Sequence, residues 1–355
     1  MGKVKNQHYV PQSYLEYFAN KKGQVWVYDK VRDKKFISNI EGIASQRYFY
    51  DVPFDQILDS LSKIESISNE NIQELRNTLD ELHYSTSEEA KQSMEQNVEK
   101  FFSEKVEGNF KKLLDNIRTR YTMTPRPSYS QAFNDEERAH LSVLLGFQIV
   151  RSKEFRESYF EMKESMTQVT VDMLASYYDK DYKDGSIVAI PGFESKPLEH
   201  ANLIYSELPF KIAEAISSHY WFIGVNETQM PFYTSDDPII KQPHTEDPFG
   251  GMASGFASPG IEVAMPISSK LILIIREKSF HGDCKSVDKL YMPITNEQNI
   301  IYYNSLQVLQ CNSQVYCHEN DFRVVEMFKE RGDTSSLVRE KNQVERVSLP
   351  KRNKK

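Results

Sequence analysis

Cysteine is scarce in this chain. Cys284, Cys311 and Cys317 are the only three in 355 residues, an odd number without the close pairs of a zinc site, so neither a disulfide framework nor a structural zinc is expected. Long apolar runs are missing too: a membrane-crossing helix needs about 20 such residues, and the stretch that starts at Leu271 meets charge at Arg276. The opening residues MGKVKNQHYV hold no apolar signal core. These absences together predict a cytoplasmic protein with no membrane partner. A broad positive field is lacking as well. Forty-four Lys and Arg against 51 Asp and Glu leave a formal charge of −7, which argues against a nucleic-acid binder that works through its whole surface and leaves only a local groove. No internal repeat, P-loop, dinucleotide fingerprint or G-x-S-x-G elbow is present, which argues against nucleotide kinases and serine-hydrolase triads, even with His281 available as a base.

What is present is a mixture of two periodicities. QVWVYDK from Gln24 and KKFISN after it alternate in the manner of a β-hairpin. From Pro53 to about Arg76, apolar residues at Phe54, Ile57, Leu58, Leu61 and Ile64 have helical spacing, and the rhythm resumes at Val98, Phe101, Phe102, Val106 and Phe110 after a polar stretch over 84–96. Asn134 is a good N-cap for a very long helix running to Tyr178, with Gly146 as the expected kink. A further helix spans about Leu198 to Ser218. Two strands follow, HYWFIGVN and MPFYTSDDPII, then a Pro- and Gly-rich loop over 242–260, the strands IEVAMPI and KLILIIRE, a helix over about 296–310 and the short run SQVYC. The expected fold is α+β: long central helices packed on a small, mostly antiparallel C-terminal sheet, with an N-terminal hairpin. One domain is expected over 1–320, its helical part at about 53–218 and its sheet part at about 219–320, before a charged segment 321–355 with a disordered end.

Five segments in order, HYVPQSYLEYFA, VEKFFSEKVEGNF, LLGFQIVRS, WFIGVNETQMPFYTSDDP and VAMPISSKLIL, resemble the mostly bacterial domain-of-unknown-function family 4238 across nearly the whole chain. The most distinctive pieces are His8-Tyr9-Val10-Pro11-Gln12, with Tyr14, Leu15 and Phe18 behind it, and Thr234-Ser235-Asp236 with Pro238. Asp237 stands where the family usually carries asparagine, so a role needing a neutral amide there is not expected in this chain. The resemblance implies no established activity; it suggests a place in antiviral or mobile-element conflict.

The residue types in these motifs suggest chemistry, each with a plainer counterpart. His8 precedes a helix in a turn that Pro11 stiffens; its ring suits a general base, a general acid or a metal ligand, or simply a hydrogen bond that fixes the turn. Gln148, Arg151 and Ser152 share one face of the long helix. A buried amide and guanidinium need partners, and arginine grips carboxylate or phosphate with two parallel bonds; a structural ion pair to Asp236 or Glu107 is the alternative. Glu99, Glu104 and Glu107 read as a solvated helix face, from which only Glu107 is retained. Asp236 and Asp237 end a strand, where carboxylates can hold a cation or orient water or just form a turn.

These residues are expected to line one polar cleft and to serve a nuclease-like phosphodiester hydrolase. His8, Gln12, Arg151 and Asp236 are assigned to catalysis, Gln148 and Ser235 to substrate, and Asp236, Asp237 and Glu107 to a magnesium or manganese ion, with nucleic acid as the partner. The competing expectation is a non-enzymatic module whose cleft captures a peptide or phage-derived ligand and signals to a protein partner. Oligomeric state is left open.

Overall fold

The computed structural model describes residues 3–52, 70, 73, 74, 77, 95–187, 196–246, 254–333 and 337–339. Most of the helix expected over 53–76, the stretch 84–94, the middle of the 242–260 loop and the tail 340–355 lie outside them.

Alternation in the expected strands builds three sheets. β1 (Asn6–His8) pairs antiparallel with β4 (Ser45–Arg47). The hairpin β2 (Gln24–Asp29) and β3 (Lys34–Asn39) forms as expected, in a four-stranded sheet of order β3-β2-β11-β6 with β11 (Gln314–Cys317) and β6 (Thr234–Ser235). A five-stranded sheet has the order β10-β5-β9-β8-β7, from β5 (Tyr220–Asn226), β7 (Ile240–Pro243), β8 (Ile261–Pro266), β9 (Leu271–Arg276) and β10 (Tyr291–Ile294). Only its β10–β5 pair is parallel. Successive side chains of a strand face opposite sides, and this sorts β5 and β9 between two cores: Trp221, Ile223, Leu273 and Ile275 pack on one side, Phe222, Ile272 and Ile274 on the other. Burial on both faces explains why these strands read as continuous apolar runs.

The α-helices with fully described bounds are α1 (Gln12–Leu15), α2 (Asn97–Phe101), α3 (Glu107–Met123), α4 (Asp135–Arg151), α5 (Lys153–Tyr178), α6 (Lys196–Tyr205), α7 (Leu208–Ser217), α8 (Glu297–Gln310) and α9 (Arg323–Glu330). Asn134 caps α4 as expected, in a reciprocal pair with Glu137. α9 adds Val324 and Val325 of the charged C-terminal segment to the second core.

Three local expectations are corrected. The long helix is not one helix to Tyr178: it runs through Gly146 and breaks at Ser152, whose extended backbone (ψ 152°) separates α4 from α5 and whose hydroxyl accepts from Phe155 N–H. The break has a tertiary cause: the Tyr50 hydroxyl donates to the Arg151 carbonyl at 3.0 Å, and the His200 ring bonds the Val150 carbonyl at 2.7 Å, so side chains take carbonyls that a continuing helix would use. Gly146 serves close packing instead, since a Cβ there would sit 2.1 Å from the Pro209 carbonyl oxygen of α7. The helix over 198–218 is two helices, the second started by Pro209. Finally, MPFYTSDDPII is not one strand: Thr234–Ser235 belongs to the four-stranded sheet and Ile240–Pro243 to the five-stranded one, so Asp236-Asp237-Pro238 carries the chain between sheets.

Candidate functional site

The Tyr14 hydroxyl joins three of the distinctive segments. It lies 2.6 Å from the Pro266 carbonyl and 2.7 Å from Thr234 Oγ1; its single proton goes to the carbonyl, so Thr234 donates to it. Gln148 likewise holds the N-terminal turn, giving its amide to the Tyr9 carbonyl at 2.9 Å.

Arg151 is the centre of this region. It is fully buried, where an unpaired charge would be very costly, and its guanidinium stacks 4.0 Å above the Phe102 ring. Nη2 donates to the His8 carbonyl and, at 3.0 Å, to Glu107 Oε1. The carboxylate partner is therefore Glu107. Nη1 is buried without a hydrogen bond among the described residues.

A second unfilled group belongs to the same charge cluster. Glu99 Oε2 is also buried without a partner, and burial pushes this carboxyl up to about 7, aided by the charges of Glu107 and Asp51 and opposed by Arg151. The helix geometry accounts for the grouping. Residues eight apart are about 80° out of register on a helix of 3.6 residues per turn. Phe102–Val106, however, form a π-helical turn between α2 and α3, and the extra residue it absorbs brings Glu99 and Glu107 back toward one face.

His8 sits at the rim of this cluster, 7% exposed. Backbone carbonyls at Ile40 and Glu41 hold its ring, burial and the Arg151 charge lower its pKa, and Glu107 opposes the shift. The Gln12 amide lies 3.3 Å from both ring nitrogens. His8, Gln12, Gln148, Arg151 and Glu107 are thus brought together, and Glu99 joins them. Sequence reading placed Glu99 on a solvated face; the π turn that redirects it leaves no mark in the apolar spacing.

The Asp236 group has other partners. Asp236 is wholly buried and its Oδ2 accepts three hydrogen bonds, from Ser313 N–H (2.8 Å), Ser313 Oγ (2.8 Å) and Gln314 N–H (3.0 Å), fastening the start of β11. Burial raises its pKa to about 6 against these bonds. The Ser235 hydroxyl meets Gln307 Oε1 at 2.7 Å. Asp237 lines a separate cavity of about 500 Å³ with Glu154, Lys241 and Arg339, where Arg339 is clamped between Glu154 and Glu161; burial and then the Glu154 and Asp236 charges push the Asp237 carboxyl well up. Glu107, Asp236 and Asp237 do not form a common set of ligands. Among the described residues, no group of three or more His, Cys, Asp or Glu side chains is arranged to hold a metal, and no helix is long and apolar enough to cross a membrane.

Comparison with known proteins gives the relationship that the motifs suggested. The family model described as "Protein of unknown function (DUF4238)" matches residues 6–321, and the chain belongs to that family. No curated protein and no solved structure matches it.

Proposed function

We propose that this member of the family is a nuclease-like phosphodiester hydrolase whose reacting groups are His8, Glu99 and Arg151. One observation carries the reading: a buried guanidinium with an unfilled N–H stands in the same cluster as a buried carboxyl with an unfilled oxygen and a pKa raised to about 7. Environments that push titratable groups apart mark acid and base assignments. His8, kept neutral by burial, accepts a proton from the attacking water. The water oxygen bonds to phosphorus as the bond to the leaving oxygen breaks, and protonated Glu99 supplies the proton that the leaving oxygen takes up. The free Arg151 Nη1–H donates to the phosphoryl oxygen on which charge grows. Gln12 orients the His8 ring or the substrate, Glu107 keeps Arg151 in place, and Gln148 holds the turn that carries His8. No step is assigned to an ion, to Asp236 or to Asp237.

The test is incubation of the purified chain with single- and double-stranded DNA and RNA, with and without magnesium or manganese, beside His8→Ala. The expected result is cleavage of at least one polymer that falls by about 100-fold or more in the variant, the usual size of a general-base contribution. Ligand-dependent thermal stabilisation without turnover would instead favour a sensing module built on the same cluster, and dependence on either metal would call for ligands beyond those grouped here. A role in antiviral or mobile-element conflict, with a phage-derived ligand, is the biological setting that goes with either reading.

A further inference from the structure

A second cavity, of about 500 Å³, opens between the five-stranded sheet and α8, on the face opposite the helices that hold Arg151. That volume is typical of small-molecule sites. Its polar floor comes from one cross-strand pair: Glu262 on β8 lies directly opposite Arg276 on β9, and Arg276 Nε donates to Glu262 Oε2 at 2.7 Å. His244 Nε2 approaches the same oxygen at 3.5 Å. Glu262 is 1% exposed, yet its other oxygen, Oε1, makes no well-formed hydrogen bond, and neither does the buried hydroxyl of Tyr302 that faces the cavity from α8. Burial above all, then the Glu262 charge and a hydrogen bond to the Glu262 carboxylate, hold the Tyr303 phenol protonated well above its usual range. On the basic side, Arg276 Nη1 donates weakly to the Cys284 sulfur at 3.6 Å, and Nη2 makes no hydrogen bond among the described residues.

A buried carboxylate oxygen left unfilled costs free energy, and the adjoining space allows a ligand to remove that cost by bringing an N–H donor. The same ligand meets the spare Arg276 N–H with an anionic oxygen. Because acid and base touch at 2.7 Å, the ligand must carry its own opposite charges within an equally short span. An α-ammonium and an α-carboxylate on one carbon satisfy this; a nucleotide, whose base and phosphate are separated by a sugar, does not. Phe222, Ile274, Val287, Met292 and Ile294 give the cavity apolar lining, and Asp283 and Asn299 add further polar groups to its wall. We infer that this cavity binds a free α-amino acid with an apolar side chain, its ammonium on Glu262 and Tyr302 and its carboxylate on Arg276. The site is independent of the hydrolase reading.

Calorimetric titration of the full chain with phenylalanine, leucine and methionine tests this, alongside N-acetylphenylalanine and phenylalaninamide. At least one amino acid should bind saturably, and blocking either charged end should weaken binding about tenfold or more, the loss expected for leaving one buried charged group unpaired. Glu262→Gln should abolish binding. Should that variant fail to fold, Tyr302→Phe, which keeps the ring and removes only the hydroxyl, should weaken binding with melting temperature unchanged. No saturable binding by any of the three at millimolar concentration, equal binding by a blocked derivative, or full affinity in the folded variants would overturn the assignment.

Discussion

Arg151 and Asp236 were expected to line one cleft, and both are completely buried, but their bonding differs. Asp236 Oδ2 accepts from three donors of a single chain segment, Ser313 and Gln314, as a residue that fixes a turn does, while its Oδ1 is buried without a partner among the described residues. Arg151 instead draws on three distant places, the His8 carbonyl, Tyr50 and Glu107, and still has an N–H left beside an unsatisfied Glu99. Burial alone therefore does not tell the two environments apart. Nor does a single unmatched atom, since Asp236 has one too; what sets the Arg151 region apart is that Arg151 Nη1 and Glu99 Oε2 are unmatched together in one charge cluster, reached by solvent at Glu107, whose side chain is 27% exposed.

Substitution can sharpen that contrast. Arg151→Ala removes a fully buried ion-pair partner and the anchor of the His8 strand, and should lower stability by about 3–5 kcal/mol, measured by denaturant unfolding, while also abolishing any cleavage. Asp236→Ala leaves the Ser313 and Gln314 N–H groups without an acceptor and should cost about 1–3 kcal/mol, with cleavage by the folded fraction unchanged. Comparable loss of specific activity in both variants would return Asp236 to the reacting set and break the distinction.

A third difference lies in the pH dependence of stability. Glu99, raised to about 7 from an ordinary 4.5, binds its proton more tightly folded than unfolded. Stability from this group therefore rises as pH falls from about 7 toward 4.5, the reverse of a salt-bridged carboxylate. Asp236, raised to about 6 from 3.8, adds a slope of the same sign lower down. Glu99→Gln mimics the protonated form, so its melting temperature should vary less than that of the wild type between pH 4.5 and 7, and should equal or exceed it at pH 7.5. Identical pH profiles would show that the Glu99 carboxyl titrates normally.

Much of the fold was legible from period and punctuation: the hairpin at Gln24–Asn39, the cap at Asn134 and the apolar strands from β8 to β9 follow directly from local rules. What escaped has a shared cause, in that the deciding interaction comes from far along the chain. The helical rhythm runs unbroken through Ser152, and only Tyr50 and His200 stop it there. TSDDPII reads as one strand until β11 claims its first half and β8 its second. In the candidate site, His8, Gln12, Gln148 and Arg151 stood out by residue type and motif, and Glu107 was an open choice of partner. Glu99 required the π turn to be seen, and Glu262 was hidden as a single charge in an apolar strand whose cross-strand neighbour could not be known.

The central claim is that Glu99 and Arg151 form a reacting pair rather than an incompletely satisfied core. Cleavage of DNA and RNA by Glu99→Gln, compared with the wild type at pH 7, tests it most directly, because the substitution preserves shape and removes the titrating proton. The account predicts that turnover falls by about 100-fold or more while the melting temperature is equal or higher. Wild-type turnover in that variant would contradict it.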